Sequence, residues 1–140
     1  MFELDVLVAL NLRLASIRAS QLSLSEGLRA AKTISDQEMQ YSSGGSSFFI
    51  MPASLRALTT QARCIAQLRA ARAALALERM RLTKGELPDP TKVALPTDPF
   101  TGQPLRFKKQ GDGYVIYSVG ENGVDDGGDE RKDITFRVFR

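Results

Sequence analysis

The chain has 140 residues, 43% hydrophobic and 25% charged, with a net charge of +3, the profile of one globular domain able to bury roughly two thirds of its unfolded surface. A single cysteine, Cys64, excludes an intrachain disulfide and any metal site built on several thiolates, and the absence of histidine removes the usual general base, nucleophile activator and transition-metal ligand. With no glycine-rich phosphate loop carrying its lysine, no serine elbow and no paired carboxylates on a recognisable scaffold, the sequence predicts a protein that is not an enzyme.

From Phe2 to about Ala31, the residues Leu4, Leu7, Leu10, Leu14, Ile17, Leu24 and Leu28 recur at three- and four-residue steps, which predicts an amphipathic helix. Its longest apolar run, Val6 to Leu10, falls far short of the roughly 20 residues a membrane span needs. No basic segment leads into a signal-peptide core, so a soluble chain is expected. The helical bias weakens past Ile34, and "SSGGSS" at 42–47 is a flexible break whose glycines disfavour helix. "FFIM" at 48–51 is expected to fold back onto the helices. Residues 1–50 thus form an N-terminal helical segment and residues 51–140 carry the remaining elements, within a single compact domain.

A second long helix is predicted from Pro52 to Lys84, with Leu55, Leu58, Ile65, Leu68, Leu75 and Leu82 on one side and Ala66, Ala70, Ala73, Leu77 and Met80 beside them. Gly85 can take the left-handed cap conformation, and Pro88 and Pro90 prevent resumption. The two helices are expected to pack as an antiparallel hairpin, with Cys64 as a buried, inert thiol. Seven basic residues lie between 52 and 84 against Glu78 alone. Their stems are expected to cover apolar helix surface while their heads reach water. No aromatic residue lies among the arginines to stack bases, so nucleic-acid binding is not expected.

After Pro90 the period changes from helical to extended. "PLRFKK" and "GYVIYSV" read as strands joined through Gln110, Gly111, Asp112 and Gly113, and "ITFRVF" at 134–139 as a third, with Ile134, Phe136 and Val138 on one face. Phe107, Tyr114, Ile116, Tyr117 and Phe136 are expected to pack a sheet onto a helix. The predicted fold is α+β: a long N-terminal helical hairpin followed by a small antiparallel three-stranded sheet packed on the second helix.

Between strands two and three, "GENGVDDGGDERKD" places six acidic side chains and four glycines in the fourteen positions 120–133. Such a stretch is either a solvated turn or a cradle for a hard cation, since calcium takes carboxylates together with amide and backbone carbonyls on a backbone able to wrap it. An EF-hand register beginning at Asn122 fails, because Val124 falls on position 3 and the flanks are strands.

The succession "ALALERMRLTKGELPDP", "DPFTGQPL", "YSVGENG", "DDGG" and "DI", over about residues 73–136, resembles the C-terminal part of type II secretion major pseudopilins. The resemblance implies a long helix ended by glycine and proline, a turn, and a strand leading into a calcium-ordered loop, in a non-enzymatic structural or assembly subunit. It implies calcium ligands from the side chains of Asn122, Asp126 and Asp133 and the carbonyl of Val119, with Asp125 and Asp129 as further candidates. Asn122 stands where an aspartate is common, which removes one charge. Protein partners or self-assembly follow from the resemblance, as does a periplasmic or cell-envelope location. Membrane attachment is expected only through a hydrophobic anchor with an early glutamate, which these residues do not include. The alternative is a helical protein–protein interaction module that holds no metal and uses the Leu4 to Leu28 stripe.

Overall fold

The structure is a computed structural model describing residues 22–41, 51–89 and 93–140, with backbone alone for 37–41 and 51–54. It contains helix α1 (Leu24–Tyr41), helix α2 (Met51–Lys84), and strands β1 (Arg106–Gln110), β2 (Gly113–Ser118) and β3 (Ile134–Val138). The class is α+β, with a three-stranded antiparallel sheet packed against the second helix, as the sequence predicts. Two compact units divide the chain at Gln61 and Ala62, inside α2. The leucine stripe from Leu4 to Ile17, the break at 42–47 and the segment Phe48–Ile50 lie outside the described residues.

In the first unit, α1 begins at Leu24 and leaves Leu22 and Ser23 outside it, within the stretch from Phe2 to Ala31 that the sequence predicts as helix. The cause is local. Glu26 Oε2 reaches back to accept from the Ser23 N–H at 3.2 Å and from Ser23 Oγ at 2.5 Å, the returning half of a capping box. Those bonds hold Glu26 below the usual carboxylate range. Among the described side chains of this helix, Leu28, Ala31 and Ile34, three residues apart, are buried; its backbone runs on to Tyr41 despite its polar C-terminal half.

In the second unit, α2 stops where its punctuation predicts: Gly85 adopts φ 80° and its N–H donates to the Arg81 carbonyl at 2.8 Å. β1 and β2 are joined by the turn at Gly111 and Asp112, with Gln110 opposite Gly113. β2 is the central strand. Pairing places Phe107 opposite Ile116, Ile116 opposite Phe136 and Tyr114 opposite Val138, on one face. That face meets α2: Ala70, Ala73, Ala74 and Leu77 pack with Leu105, Tyr114 and Ile116, and Phe107 stacks on Tyr114 with centroids 5.3 Å apart.

Of the two predicted sides of this helix, the one bearing alanines forms the core, and Cys64, expected to be buried, lies outside it. The alanines and Leu77 are buried, whereas Leu68, Leu75 and Leu82 are 64%, 61% and 73% exposed, and Cys64 is exposed with them. The reason is volume. Large rings on the sheet leave room for methyl groups on the helix, so alanine brings the two backbones close enough for dense packing.

One polar cluster closes this core. The Tyr114 hydroxyl donates to the Ala74 carbonyl (3.2 Å) and to Glu78 Oε1 (3.0 Å), while Glu78 also accepts from Arg81 Nε (2.8 Å) and Arg140 (2.5 Å). Burial pushes the Tyr114 phenol well above its ordinary range, and the Glu78 hydrogen bond adds to it. For Glu78, burial acts upward but the bonds from Arg81, Arg140 and Tyr114 outweigh it, and its pKa lies below the ordinary 4.5. A depressed folded-state value gives stability that is present above the unfolded pKa and lost as pH falls through the folded one. Unfolding titrations from pH 6 to 3 are therefore expected to show a loss beginning near pH 4.5, and Glu78→Gln should flatten that part of the profile. An identical acid limb in the variant would show that Glu78 does not carry it.

Candidate functional site

Strand β2 is buried along its whole length, yet the helix covers only one face. The other face presents Val115 and Tyr117, flanked by Arg106 and Lys108 from β1 and by Thr135 and Arg137 from β3. The acidic loop lies over it. At Gly128, φ is 81° and an added Cβ would come within 3.2 Å of Val115 and 3.4 Å of Tyr117, so only glycine lets the loop backbone rest on the strand. The loop is thus the second covering layer of the sheet.

Each basic side chain of this face engages the loop. Lys108 Nζ donates to the Gly127 carbonyl at 3.0 Å and Arg137 to the Gly128 carbonyl at 2.9 Å. Arg106 Nε lies 3.7 Å from Asp125 Oδ2. Arg137 Nε is 2.6 Å from Glu130 Oε1, a charge contact not aligned as a hydrogen bond. Arg63 on α2 pairs with Glu121 at 2.8 Å, and Lys132 with Asp126 at 3.0 Å. Repulsion among the carboxylates is therefore largely offset by the chain's own cations. Because most of these pairs are exposed, water screens them and they contribute little to stability; the glycine contacts and backbone hydrogen bonds fix the loop's path.

The predicted ligand residues fall into distinct environments. Asn122 and Asp126 meet: Asn122 Nδ2 donates to Asp126 Oδ2 at 2.8 Å, while Asn122 Oδ1 accepts from the Val124 N–H. Lys132, then Asn122, hold Asp126 below the usual carboxylate range, and Asp126 in turn raises Lys132. Asp125 Oδ1 accepts from the Tyr117 hydroxyl (2.9 Å) and from the Gly127 N–H (3.0 Å). Burial first, and that bond second, push the Tyr117 phenol up to about 12. Asp129 is exposed and accepts from the Arg131 N–H within its own turn. Val119 is buried and its N–H donates to Asp98 Oδ2 at 3.1 Å. Among the described residues, these carboxylates do not gather three or more into one metal-holding group.

Asp133 is different. It is 5% exposed; its Oδ2 accepts from the Gly128 N–H at 2.7 Å, and its Oδ1 is buried with no hydrogen-bond partner. Leaving such an acceptor unpaired costs about 1–3 kcal/mol. A hard cation favours anionic oxygen of this kind, so the orphaned oxygen fits the ion that the resemblance implies.

Asp98 was not singled out by motif spacing, yet it anchors the loop. It is 2% exposed, and its carboxyl accepts from the Phe100 N–H (2.8 Å), Ser118 Oγ (2.9 Å) and the Val119 N–H (3.1 Å). Ser118 Oγ in turn accepts from the Gly120 N–H at 3.1 Å. The turn at 97–104 is thereby joined to the point where β2 becomes the acidic loop. Lys108 and Arg137 have no role in the sequence reading, although their alternation with Phe107 and Phe136 places them opposite the helix; Tyr117, expected to pack on the helix with Phe107, Tyr114, Ile116 and Phe136, instead faces the loop, because successive side chains of β2 point to opposite faces.

Together these features define a small helix-backed sheet whose outer face is roofed by a charge-paired acidic loop. No protein-family model, curated protein or solved structure matches this chain. Among the described residues, no helix is long and apolar enough to cross a membrane.

Proposed function

We infer that the chain is a non-enzymatic structural or assembly subunit of the type II secretion pseudopilin kind, in which calcium orders the acidic loop. The observation carrying this reading is the buried Asp133 Oδ1 left without a donor inside a glycine-rich acidic loop. Asp133, Asp126 and Asn122, with the Val119 carbonyl, are the groups that would hold the ion, and Asp125 and Asp129 are further candidates. The ion supplies charge neutralisation and rigidity and takes part in no reaction. Its binding would exchange Lys132 for calcium at Asp126. The ordered loop would then offer a fixed surface to neighbouring protein subunits.

Lys108, Lys132 and Arg137 favour a second reading, in which the loop closes on internal cations without a metal. Thermal melting separates the two. With calcium at about 100 times its Kd, linkage gives about 2.7 kcal/mol of stabilisation, so the melting temperature should rise with millimolar calcium and fall back with chelator. Asp133→Asn should abolish the rise without removing the fold. A melting temperature indifferent to calcium in the unmodified chain would favour the metal-free loop.

A further inference from the structure

Helix α2 has two apolar faces, and the sheet uses one. Leu68, Leu75 and Leu82 recur every seven residues, so they stay in line along the helix with only about 20° of drift per heptad. All three are more than half exposed, on the side away from Ala70, Ala73, Ala74 and Leu77. A row of large aliphatic side chains standing in water is uncommon on a finished surface.

The charges beside the row indicate what covers it. Arg72 and Arg79 are one heptad apart, each four residues beyond a stripe leucine, Leu68 or Leu75, and so flank the stripe along one edge. Both are exposed and, among the described residues, have neither an ion-pair nor a hydrogen-bond partner from their side chains. Three other basic residues of the helix are engaged: Arg63 by Glu121, Arg69 by the Thr97 carbonyl at 2.7 Å and Arg81 by Glu78. The helix's single acid, Glu78, is committed to Tyr114, Arg81 and Arg140. A second copy of this face would therefore bring arginines toward arginines with no free carboxylate between them.

We propose that the Leu68–Leu75–Leu82 face of α2 docks an amphipathic helix of a protein partner that carries an apolar heptad seam edged by carboxylates facing Arg72 and Arg79. One leucine per heptad supplies one of the two apolar positions of a helix–helix seam and leaves the arginines beside it to choose the partner's charge. A membrane-surface helix presents a broader apolar face, of about 100° or more, usually with aromatic residues. The surface is independent of the acidic loop and of any ion there.

Two synthetic helical peptides of about four heptads, sharing one leucine seam but edged by glutamate or by lysine, provide the probes. Each is titrated against the full chain and read by fluorescence anisotropy. The glutamate peptide should bind and the lysine peptide should bind at least about tenfold more weakly. Leu75→Ser should weaken the glutamate peptide by a similar factor, and Arg72→Glu with Arg79→Glu should reverse the preference so that the lysine peptide binds better. Rescue by the swapped charges distinguishes lost recognition from lost folding. Equal binding of the two peptides would overturn the proposal. So would concentration-dependent self-association abolished by Leu75→Ser, which would make the occupant a second copy, or retention of the chain on anionic vesicles with neither peptide bound, which would make it a lipid surface.

Discussion

Asp98→Ala should lower unfolding stability by about 3–5 kcal/mol, measured as a shift of the chemical denaturation midpoint against the unmodified chain. The substitution removes one carboxyl and orphans the donors converging on it: Ser118 Oγ–H and the Val119 N–H, both buried, and the part-buried Phe100 N–H. Each buried donor left unsatisfied costs about 1–3 kcal/mol, and the lost bonds are not replaced by water. Against a typical total of about 5–15 kcal/mol, that is a large fraction. Asp98→Asn should do less harm, since its amide oxygen can still accept from one side while its NH₂ faces a donor on the other. The loop should loosen as well, because Ser118 Oγ also accepts from Gly120, its first residue. A loss below about 1 kcal/mol for the alanine variant would mean that the turn and loop are held independently of this carboxyl.

That expectation reflects a division of labour within the second unit. The helix-facing side of the sheet is held by apolar packing, and the loop-facing side by polar groups arranged over Val115 and Tyr117. Glycine at 128 permits the approach, and the cations of β1 and β3 offset the loop's charge. A stretch of six acids can therefore be a structural roof, and any cation bound there would compete at Asp126 with Lys132, which already sits beside it.

How far the residues themselves announced this arrangement varied with the range of the interaction. Local rules worked where one residue type has one backbone use: Gly85 followed by Pro88 ended α2, and Gly111 with Asp112 joined β1 to β2. The alternation of "RFKK", "YVIY" and "TFRV" was legible as strands, and it implied that Arg106, Lys108 and Arg137 share a face. What alternation could not tell was that the acidic loop returns over that face, since the pairing of Lys108 with Gly127 spans 19 residues. Asp98 was obscure for the same reason: nothing adjacent signals burial, and its partners Ser118 and Val119 arrive from 20 and 21 positions away. The Ser23 and Glu26 pair, by contrast, was readable, but the longer leucine period around it pointed to an uninterrupted helix. Among the expected ligands, composition drew attention to the acidic loop, whereas the individual partners of Asp125 and Asp129 depended on turns whose geometry spacing does not specify.

Helix α2 supplies the sharpest contrast between periodicity and packing. Leu75 and Leu77 are two positions apart and so about 200° apart around the helix; both are leucine, yet one is 61% exposed and the other fully buried. Leu77→Ala should cost about 2–5 kcal/mol, because it empties volume among Ala74, Tyr114 and Ile116 that a backbone pinned by β-pairing cannot fill by collapsing. Leu75→Ala and Leu82→Ala should change stability by no more than about 0.5 kcal/mol, as alanine also favours helix and neither side chain is packed. Thermal or urea unfolding of the three variants decides the matter. If Leu75→Ala proved the costly one, the leucine row would be the folding core and its exposed position would be wrong. If Leu77→Ala is costly and Leu75→Ala is silent, selection for stability alone gives no reason to keep leucine every seventh residue on the outer face. Its recurrence beside two arginines that have no partner among the described residues then calls for a partner rather than for the fold.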